Sequence, residues 1–453
     1  MTVIWARTAL LPEGWAENVR VDIDGGRIVS TTLDAPPSGR RCGILLPAPA
    51  NAHSHAFQRA MAGLTESRGP DPRDTFWTWR ELMYRFLDRI DPDRAEAITA
   101  LVQMEMLEAG YACCVEFHYL HHAPDGRPYA NLAEMAERIA AAADQTGIGL
   151  TLLPVHYQFS GCDRRPVGPG QLRFGNDLDR FTRLLEASGA AIAALPPDAR
   201  LGAAPHSLRA VAAEDLPRLR ALAGDGPFHM HLAEQVAEVE EVQATHGARP
   251  VEWVLDHMQP DEQCCFIHCT HMKPHETERL ARTGAVAGLC PITEANLGDG
   301  IFDGVRWFGS GGAIAVGSDS NLRIALAEEL RLLEYSQRLR DRARAVLAEP
   351  GGSTGRRLYD AALAGGAHAA GRDNGAIAPG LWADLVALDA AHVDLAGRSG
   401  DRLLDSFIFA GGNAMVRDVW SAGRHMVKNG RHIRRDEIVI RYARAMAELV
   451  EAS

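Results

Sequence analysis

Two histidines one residue apart, His53 and His55 in the stretch NAHSHAFQ, follow directly on the apolar run GILLPAPA. Side chains along an extended strand repeat with a period of two, so both imidazoles point the same way and can share one metal ion. Taken alone, the pair is equally compatible with two polar loop residues. It does not stand alone, because His231 in PFHMHL and Asp319 after AIAVGS sit at the ends of two other apolar runs. Together they make a set of three nitrogens and one oxygen, which suits Zn2+ and also Fe2+. Four protein groups plus water leave the exchangeable position that a catalytic site requires. His229 forms a second His-x-His with His231. Only one residue of that run can reach the rim, so His231 is read as the ligand and His229 as a residue of the core or of the layer behind the ligands.

Other clusters compete. CCFIHCTH contains Cys264, Cys265, His268, Cys269 and His271. A structural zinc needs four convergent ligands, and strand alternation turns Cys264 and Cys265 to opposite faces, so packing cysteines are expected. EFHYLHH brings Glu116, His118, His121 and His122 close in sequence, a pattern that also serves as ordinary polar rim. In FGSGGAIAVG the glycines precede the apolar run instead of opening a helix, the reverse of a dinucleotide fingerprint. TEANLGDG is expected to shape the rim and to carry no chemistry.

These residues need elements to hold them. Between about residues 47 and 370, short apolar runs alternate with amphipathic helical patterns. Eight such runs can be counted: GILLPAPA, YACCVEF, IGLTLLPV, RLGAAP, PFHMHL, CCFIHC, AVAGLC and AIAVGS. Strands alternating with helices pair in parallel, and eight units point to a closed (β/α)8 barrel. The helices include DRAEAITALVQMEMLEAG, with Gly110 as C-cap, and ANLAEMAERIAAAADQTG, with Gly147 in that role. The runs end at or near His53 and His55, Glu116, His118 and Tyr119, His156, His206 and Arg209, His231, Glu234 and Gln235, His268 and His271, Thr293, Glu294 and Asn296, and Asp319. In a barrel these ends share one face, where barrel enzymes place their chemistry. Both chain ends have another rhythm. ENVRVDIDGGRIVSTTL alternates around Asp24-Gly25-Gly26, a hairpin signal, and ADLVALD and VRDVWSAGRHMVKNGRH give short strands around glycine turns. The ends can pair into one small β-domain, closed by a helix from about Asp436 to Glu451.

Composition narrows the function. Apolar residues are 46% and charged residues 23% of the 453, and the formal charge is -12. An acidic chain with no basic block is a poor partner for nucleic acid or an anionic membrane. No apolar run reaches membrane-helix length, and the N-terminus has no signal-peptide pattern. The eight cysteines include two adjacent pairs inside apolar runs, as reduced thiols of a cytoplasmic protein would.

NAHSHAFQ, HLAEQ, IHCTH and GSDS, in this order, resemble the amidohydrolase superfamily in its mononuclear deaminase branch. The resemblance covers essentially the whole chain. It implies an α/β fold: a (β/α)8 TIM-type barrel over residues 47–370, with a small β-sandwich from residues 1–46 plus 371–453. HAFQRAMAGL, FWTWRELMYR, EFHYLHH, HSLRA and TEANLGDGIF resemble, more narrowly, the N-formimino-L-glutamate deiminase family. That family hydrolyses the formimino group to N-formyl-L-glutamate and ammonia in histidine degradation. Superfamily members often carry Pro-Gly before the first motif; here Pro47-Ala48 stands there, in a turn that does not touch the chemistry. The resemblance implies His53, His55, His231 and Asp319 as ligands of one divalent metal, Zn2+ or else Fe2+. It implies Glu234, His268 and Asp319 as catalytic groups, and Gln58, Arg80, Tyr119, His206 and Arg209 as substrate contacts.

The chemistry of the residues agrees. A metal lowers the pKa of bound water toward 7, so a metal-activated hydroxide can attack the formimino carbon. Glu234 can shuttle the proton, and His268 can stabilise the adduct. A small dicarboxylate substrate calls for arginine forks, here Arg80 and Arg209. Phe76, Trp77 and Trp79 are expected to pack the Arg80 helix as a lid. Barrels of this kind often pair, so a homodimer is expected, in which Arg80 can reach the neighbouring site. The alternative is a deaminase of the same superfamily acting on a heterocyclic amine, whose pocket needs fewer arginines and more aromatic walls.

Overall fold

The computed structural model describes residues 1–66 and 76–451. The two sequence rhythms produce two kinds of sheet. At the N-terminus, Thr2–Leu11, Gly14–Asp24 and Arg27–Thr32 form an antiparallel meander. Its second turn places Gly25 and Gly26 at φ of 54° and 82°, the left-handed geometry of a two-residue hairpin loop. Arg40–Pro47 adds in parallel to Thr2–Leu11 and antiparallel to Leu385–Leu388. Val416–Ser421, Arg424–Lys428 and Arg431–His432 complete an eight-stranded sheet from both chain ends. The expected sandwich of two stacked sheets is instead one continuously bonded sheet. Its twist coils it, so that Arg27 bridges Trp382 and the Ala383 N–H donates to Gly26 O at 2.9 Å. The C-terminal helix is Arg435–Glu451, as the sequence pattern indicated to within one residue.

GILLPAPA is not one strand. Pro47 and Pro49 lack the N–H a ladder needs, and the run divides between Arg40–Pro47 of the end-built sheet and a new strand, Ala50–Ser54. That strand begins an arc of parallel strands with Cys113–His118, Gly149–His156 and the short pieces Arg200–Leu201 and Ala204–Pro205. RLGAAP is thus two fragments around Gly202 instead of one strand. A second parallel arc holds Phe228–Leu232, Cys264–His268, Val286–Leu289 and Ala313–Val316. Isolated parallel bridges join the arcs at both seams, Ala203 with Phe228 and Ser54 with Asp319. Both arcs are buried on both faces, as parallel strands between helices should be.

The helices start and stop where local chemistry dictates. Asp91 caps Pro92–Glu108 by accepting the Arg94 N–H, and Gly110, at φ 97°, lies one residue beyond the cap at Ala109. Gly147 caps Glu134–Thr146 in the left-handed conformation. The helix Thr354–Ala370 packs directly on Ala313–Val316, where a Cβ on Gly365 would drive into the Ile314 carbonyl. The aromatic stretch becomes the helix Phe76–Leu87, but the Phe76 and Trp77 side chains expected in a lid lie outside the described residues. All eight cysteines are buried and free, and no helix among the described residues is long and apolar enough to cross a membrane.

A buried ion cluster ties the end-built sheet to the first arc. Arg372 bonds Asp384 at 2.7 Å and Asp198 at 2.9 Å, and Arg424 bonds Asp198 at 2.7 Å. Arg372, Asp198 and Asp384 are all buried. Replacing Arg372 with Met strands the buried Asp384 carboxylate and leaves Asp198 to Arg424 alone, so stability should drop by about 3–5 kcal/mol. Denaturant unfolding checks this, and a variant within about 1 kcal/mol of the parent would show the cluster to be neutral.

Candidate active site

The pocket is built on one seam between the arcs. The pairing of Ala50–Ser54 with Cys113–His118 shifts register between Asn51 and Ser54, and the chain turns at His55 into the short helical turn Ala56–Met61. Glu116, paired with Ser54, anchors that turn by accepting the Ala56 N–H at 2.7 Å. Across the seam, the His55 N–H donates to Asp319 O and the Asp319 N–H donates to His53 O, both at 2.9 Å. Asn51 Nδ2 donates to Ser318 Oγ at 2.7 Å, Ser318 Oγ to Asn321 Oδ1 at 2.6 Å, and Asn321 Nδ2 to Ser54 Oγ at 3.1 Å. Gly317 permits this approach, since a Cβ there would lie 2.6 Å from His53 N. Asp319 itself is left-handed, at φ 48°.

The seam brings His53, His55 and His231 together, with ligand atoms within 4.8 Å of one another. A carbonyl can only accept, so His55 Nδ1 donates to Phe117 O and His231 Nδ1 to His206 O, each at 3.0 Å. Their Nε2 atoms are left as lone pairs facing His53 Nε2, 3.1 Å from each. Burial pushes all three imidazoles down, His55 to about 3, so they are neutral. At most one proton, on His53 Nε2, can sit among these lone pairs. Asp319 Oδ1 lies 3.3 Å from His55 Nε2 and 3.6 Å from His53 Nε2. Burial above all pushes its carboxyl up to about 7, with Glu234 and Glu294 adding and His268 opposing. A divalent cation among these groups would relieve the lone-pair repulsion and keep Asp319 ionised. The donor set therefore fits a borderline or first-row divalent ion.

Beside this set stand Glu234 and His268. The turn after Phe228–Leu232 is held by Glu238, which accepts the Ala233 and Glu234 N–H groups at 3.3 and 3.0 Å. Glu234 Oε1 lies 3.8 Å from His268 Nε2, and Asp319 Oδ2 lies 3.9 Å from it. Burial pushes Glu234 up, Glu238 and Glu294 add to this, and His268 and Arg209 oppose it. Burial alone would lower His268, but Glu234, Glu294 and Asp319 hold it well above its ordinary value. A carboxyl raised toward neutrality beside a protonated imidazole is the arrangement that general acid–base chemistry needs.

A cavity opens over these groups, and Gln58, Arg80, Tyr119, His206 and Arg209 all line it. Gln58 Nε2 donates to Tyr119 Oη at 2.9 Å. Arg209 is buried; burial disfavours its charge, but Glu238, Tyr157, Glu234 and Glu241 hold the guanidinium pKa above its ordinary value. Arg80 faces the cavity of its own chain, and Trp79 lines it too.

Some expectations hold and others need correction. His156 packs its ring against Phe181, and the next residue, Tyr157, takes the pocket position. EFHYLHH forms no metal cluster: His121 Nε2 donates to Val155 O, His122 Nε2 meets Asn176 Oδ1, and no three ligand atoms of this group converge among the described residues. In CCFIHCTH, Cys264 and Cys265 do pack in different clusters, and His271 Nε2 donates to Asp299 O at 2.8 Å. His229 lies deeper, donating to Ala369 O at 2.7 Å. TEANLGDG is more than rim, because Glu294 accepts from His268 Nδ1 at 3.2 Å and Asp299 bonds Gln235. Tyr84, Phe174 and Asn51 were also missed; they carry no signal of type or spacing, and only packing brings them in.

Burial pushes Glu116 up to about 7, against the Ala56 N–H and Ser54. Its folded value lies above its ordinary value of 4.5, so its contribution to stability is full below about 4.5 and lost as pH rises through about 7. In metal-free protein, the Tm of the parent relative to Glu116→Gln should therefore fall between roughly pH 4.5 and 7. A constant difference would show that Glu116 does not titrate in that window.

The chain matches the "Amidohydrolase family" profile over residues 44–426 and the profile "Formimidoylglutamate deiminase HutF, N-terminal domain" over residues 1–40. It is 47% identical to the formimidoylglutamate deiminase of Pseudomonas aeruginosa, with 100% of each chain covered. A crystal structure of an amidohydrolase from Brucella melitensis superposes with a TM-score of 0.96 at 50% identity, covering 99% of this chain and 100% of that one. A zinc-bound adenosine deaminase from Xanthomonas campestris superposes at 0.82 with 21% identity, covering 99% and 98%, a likeness of fold alone.

Proposed function

The chain belongs to the amidohydrolase family, and from that membership we propose that it hydrolyses N-formimino-L-glutamate to N-formyl-L-glutamate and ammonia, a step of histidine degradation. One observation carries the reading: a metal-type N3O set and an acid–base pair share one cavity with two arginines. The full-length 47% identity to an enzyme of that name supports it. The bridged arcs support a closed (β/α)8 barrel over residues 47–370, and the coiled sheet with the C-terminal helix a second domain of residues 1–46 plus 371–453. The protein acts in the cytoplasm as a homodimer.

His53, His55, His231 and Asp319 would hold one divalent ion, most simply Zn2+ and alternatively Fe2+. When bound, such an ion supplies Lewis acidity that brings the pKa of water near neutrality. Arg80 and Arg209 bind the two substrate carboxylates, with Gln58, Tyr119 and His206 completing the contacts. This places the formimino carbon before Glu234. As water attacks that carbon, Glu234 takes its proton, assisted by Asp319, and the C=N bond becomes single. His268 stabilises the charge developing on oxygen. Glu234 then delivers the proton to the terminal nitrogen, the remaining hydroxyl proton follows by way of Asp319 to the same nitrogen as the C=O bond forms and the C–N bond breaks, and ammonia leaves the N-formyl product behind.

Incubation of the metal-loaded protein with N-formimino-L-glutamate should yield ammonia and N-formylglutamate. Formamide plus glutamate would mean cleavage of the other bond, and no turnover would redirect the search to heterocyclic amines. Glu234→Gln should retain its metal but lose turnover, and near-parental kcat would remove Glu234 from the proton path. Arg209→Met should weaken substrate binding by about 2–5 kcal/mol, read from kcat/KM. Unchanged KM and kcat would sink that assignment.

A further inference from the structure

We propose that Glu294 is a positioning residue for this hydrolysis: by accepting from Nδ1 it fixes the ring of His268 so that Nε2 faces Glu234, Asp319 and the pocket. The inference rests on the proposed reaction and deepens it.

The backbone at His268 does not hold the ring by itself. His268 and Cys269 both adopt left-handed conformations, φ 72° and 52°, at the end of the strand Cys264–His268. The imidazole edge away from the pocket needs its own anchor. Glu294 supplies it at 3.2 Å from Nδ1. The anchor is itself pinned: the same oxygen, Oε1, accepts the Cys290 N–H at 2.9 Å, at the end of the neighbouring strand Val286–Leu289. Glu294 is buried, so little else competes for that oxygen. A carboxylate can only accept here, so Nδ1 of His268 carries a proton, and when the ring holds only one proton it is this one. The opposite edge of the ring is then turned to the two carboxylates 3.8 and 3.9 Å away. A carboxylate behind an imidazole, selecting tautomer and orientation, is a recurrent device, and its loss costs about 10–100-fold in activity or metal affinity where the imidazole serves a metal site.

The test combines kinetics and a tautomer readout on metal-loaded protein. Glu294→Ala should lower kcat for N-formimino-L-glutamate by roughly 10–100-fold with little change in KM or metal content. Glu294→Gln should recover most of that loss, because the amide oxygen can accept the same two hydrogens. In a His268→Asn background Glu294→Ala should be nearly silent, since its effect passes through the ring. Should the Ala variant fail to fold, Glu294→Met takes its place. The 15N signals of His268, assigned by difference from His268→Asn, should show a protonated Nδ1 in the parent and in Glu294→Gln, and its loss in Glu294→Ala. The NMR readout needs no substrate, so it separates failure of this proposal from failure of the functional reading. Full activity in Glu294→Ala, a Gln variant as impaired as Ala, an undiminished effect in the His268→Asn background, or an unchanged tautomer would each overturn the role.

Discussion

Everything at the site depends on the seam where residues 51–55 meet residues 317–321. Two reciprocal backbone hydrogen bonds, His55 to Asp319 and Asp319 to His53, lock two chain segments distant in sequence. The Asn51–Ser318–Asn321–Ser54 chain of side-chain bonds repeats the lock one layer down. Such a lock is needed because the groups it presents repel one another. Neutral imidazoles with lone pairs 3.1 Å apart, beside a buried carboxyl, would spread if their backbones were free. The rigidity of the strands keeps the site assembled and turns that repulsion into affinity for a cation.

The cavity gathers charges of both signs. Glu234, Glu294, Asp299 and Asp319 crowd around His268, and burial with the neighbouring carboxylates pushes Asp299 up to about 9. Arg80, Arg209 and the neutral His206 line the same cavity, and Arg209 opposes the rise of Glu234. A dianionic substrate of the kind proposed would be drawn to the arginines and repelled by the carboxylates. The same burial and crowding raise the affinity of Glu234 for a proton, against the pull of His268 and Arg209.

The end-built sheet contributes to this arrangement from a distance. Arg40–Pro47 runs in that sheet and leads, through a proline-broken turn, into the strand that carries His53. Arg372 fastens the loop before Arg200–Leu201 to the sheet through Asp198 and Asp384. The position of the first two histidines is therefore tied to a sheet whose strands come from both ends of the chain.

Much of this was legible in the residues alone. The strand–helix rhythm indicated parallel strands, and the placement of polar groups after apolar runs picked out His53, His55, His231, Glu234, His268 and Asp319, because period-two geometry and donor chemistry are local properties. Sequence could not decide that GILLPAPA serves two sheets, that the end strands form one coiled sheet, or that Tyr157 and not His156 faces the cavity. Nor could it find Glu294 behind His268, or Glu116 and Asn321 beneath the first two histidines. Those are matters of which distant segments pair and in what register, and a one-residue change of register moves a side chain to the other face. Residue type and spacing determined what chemistry the chain can perform; the pairing of strands distant in sequence decided which side chains hold its participants in place.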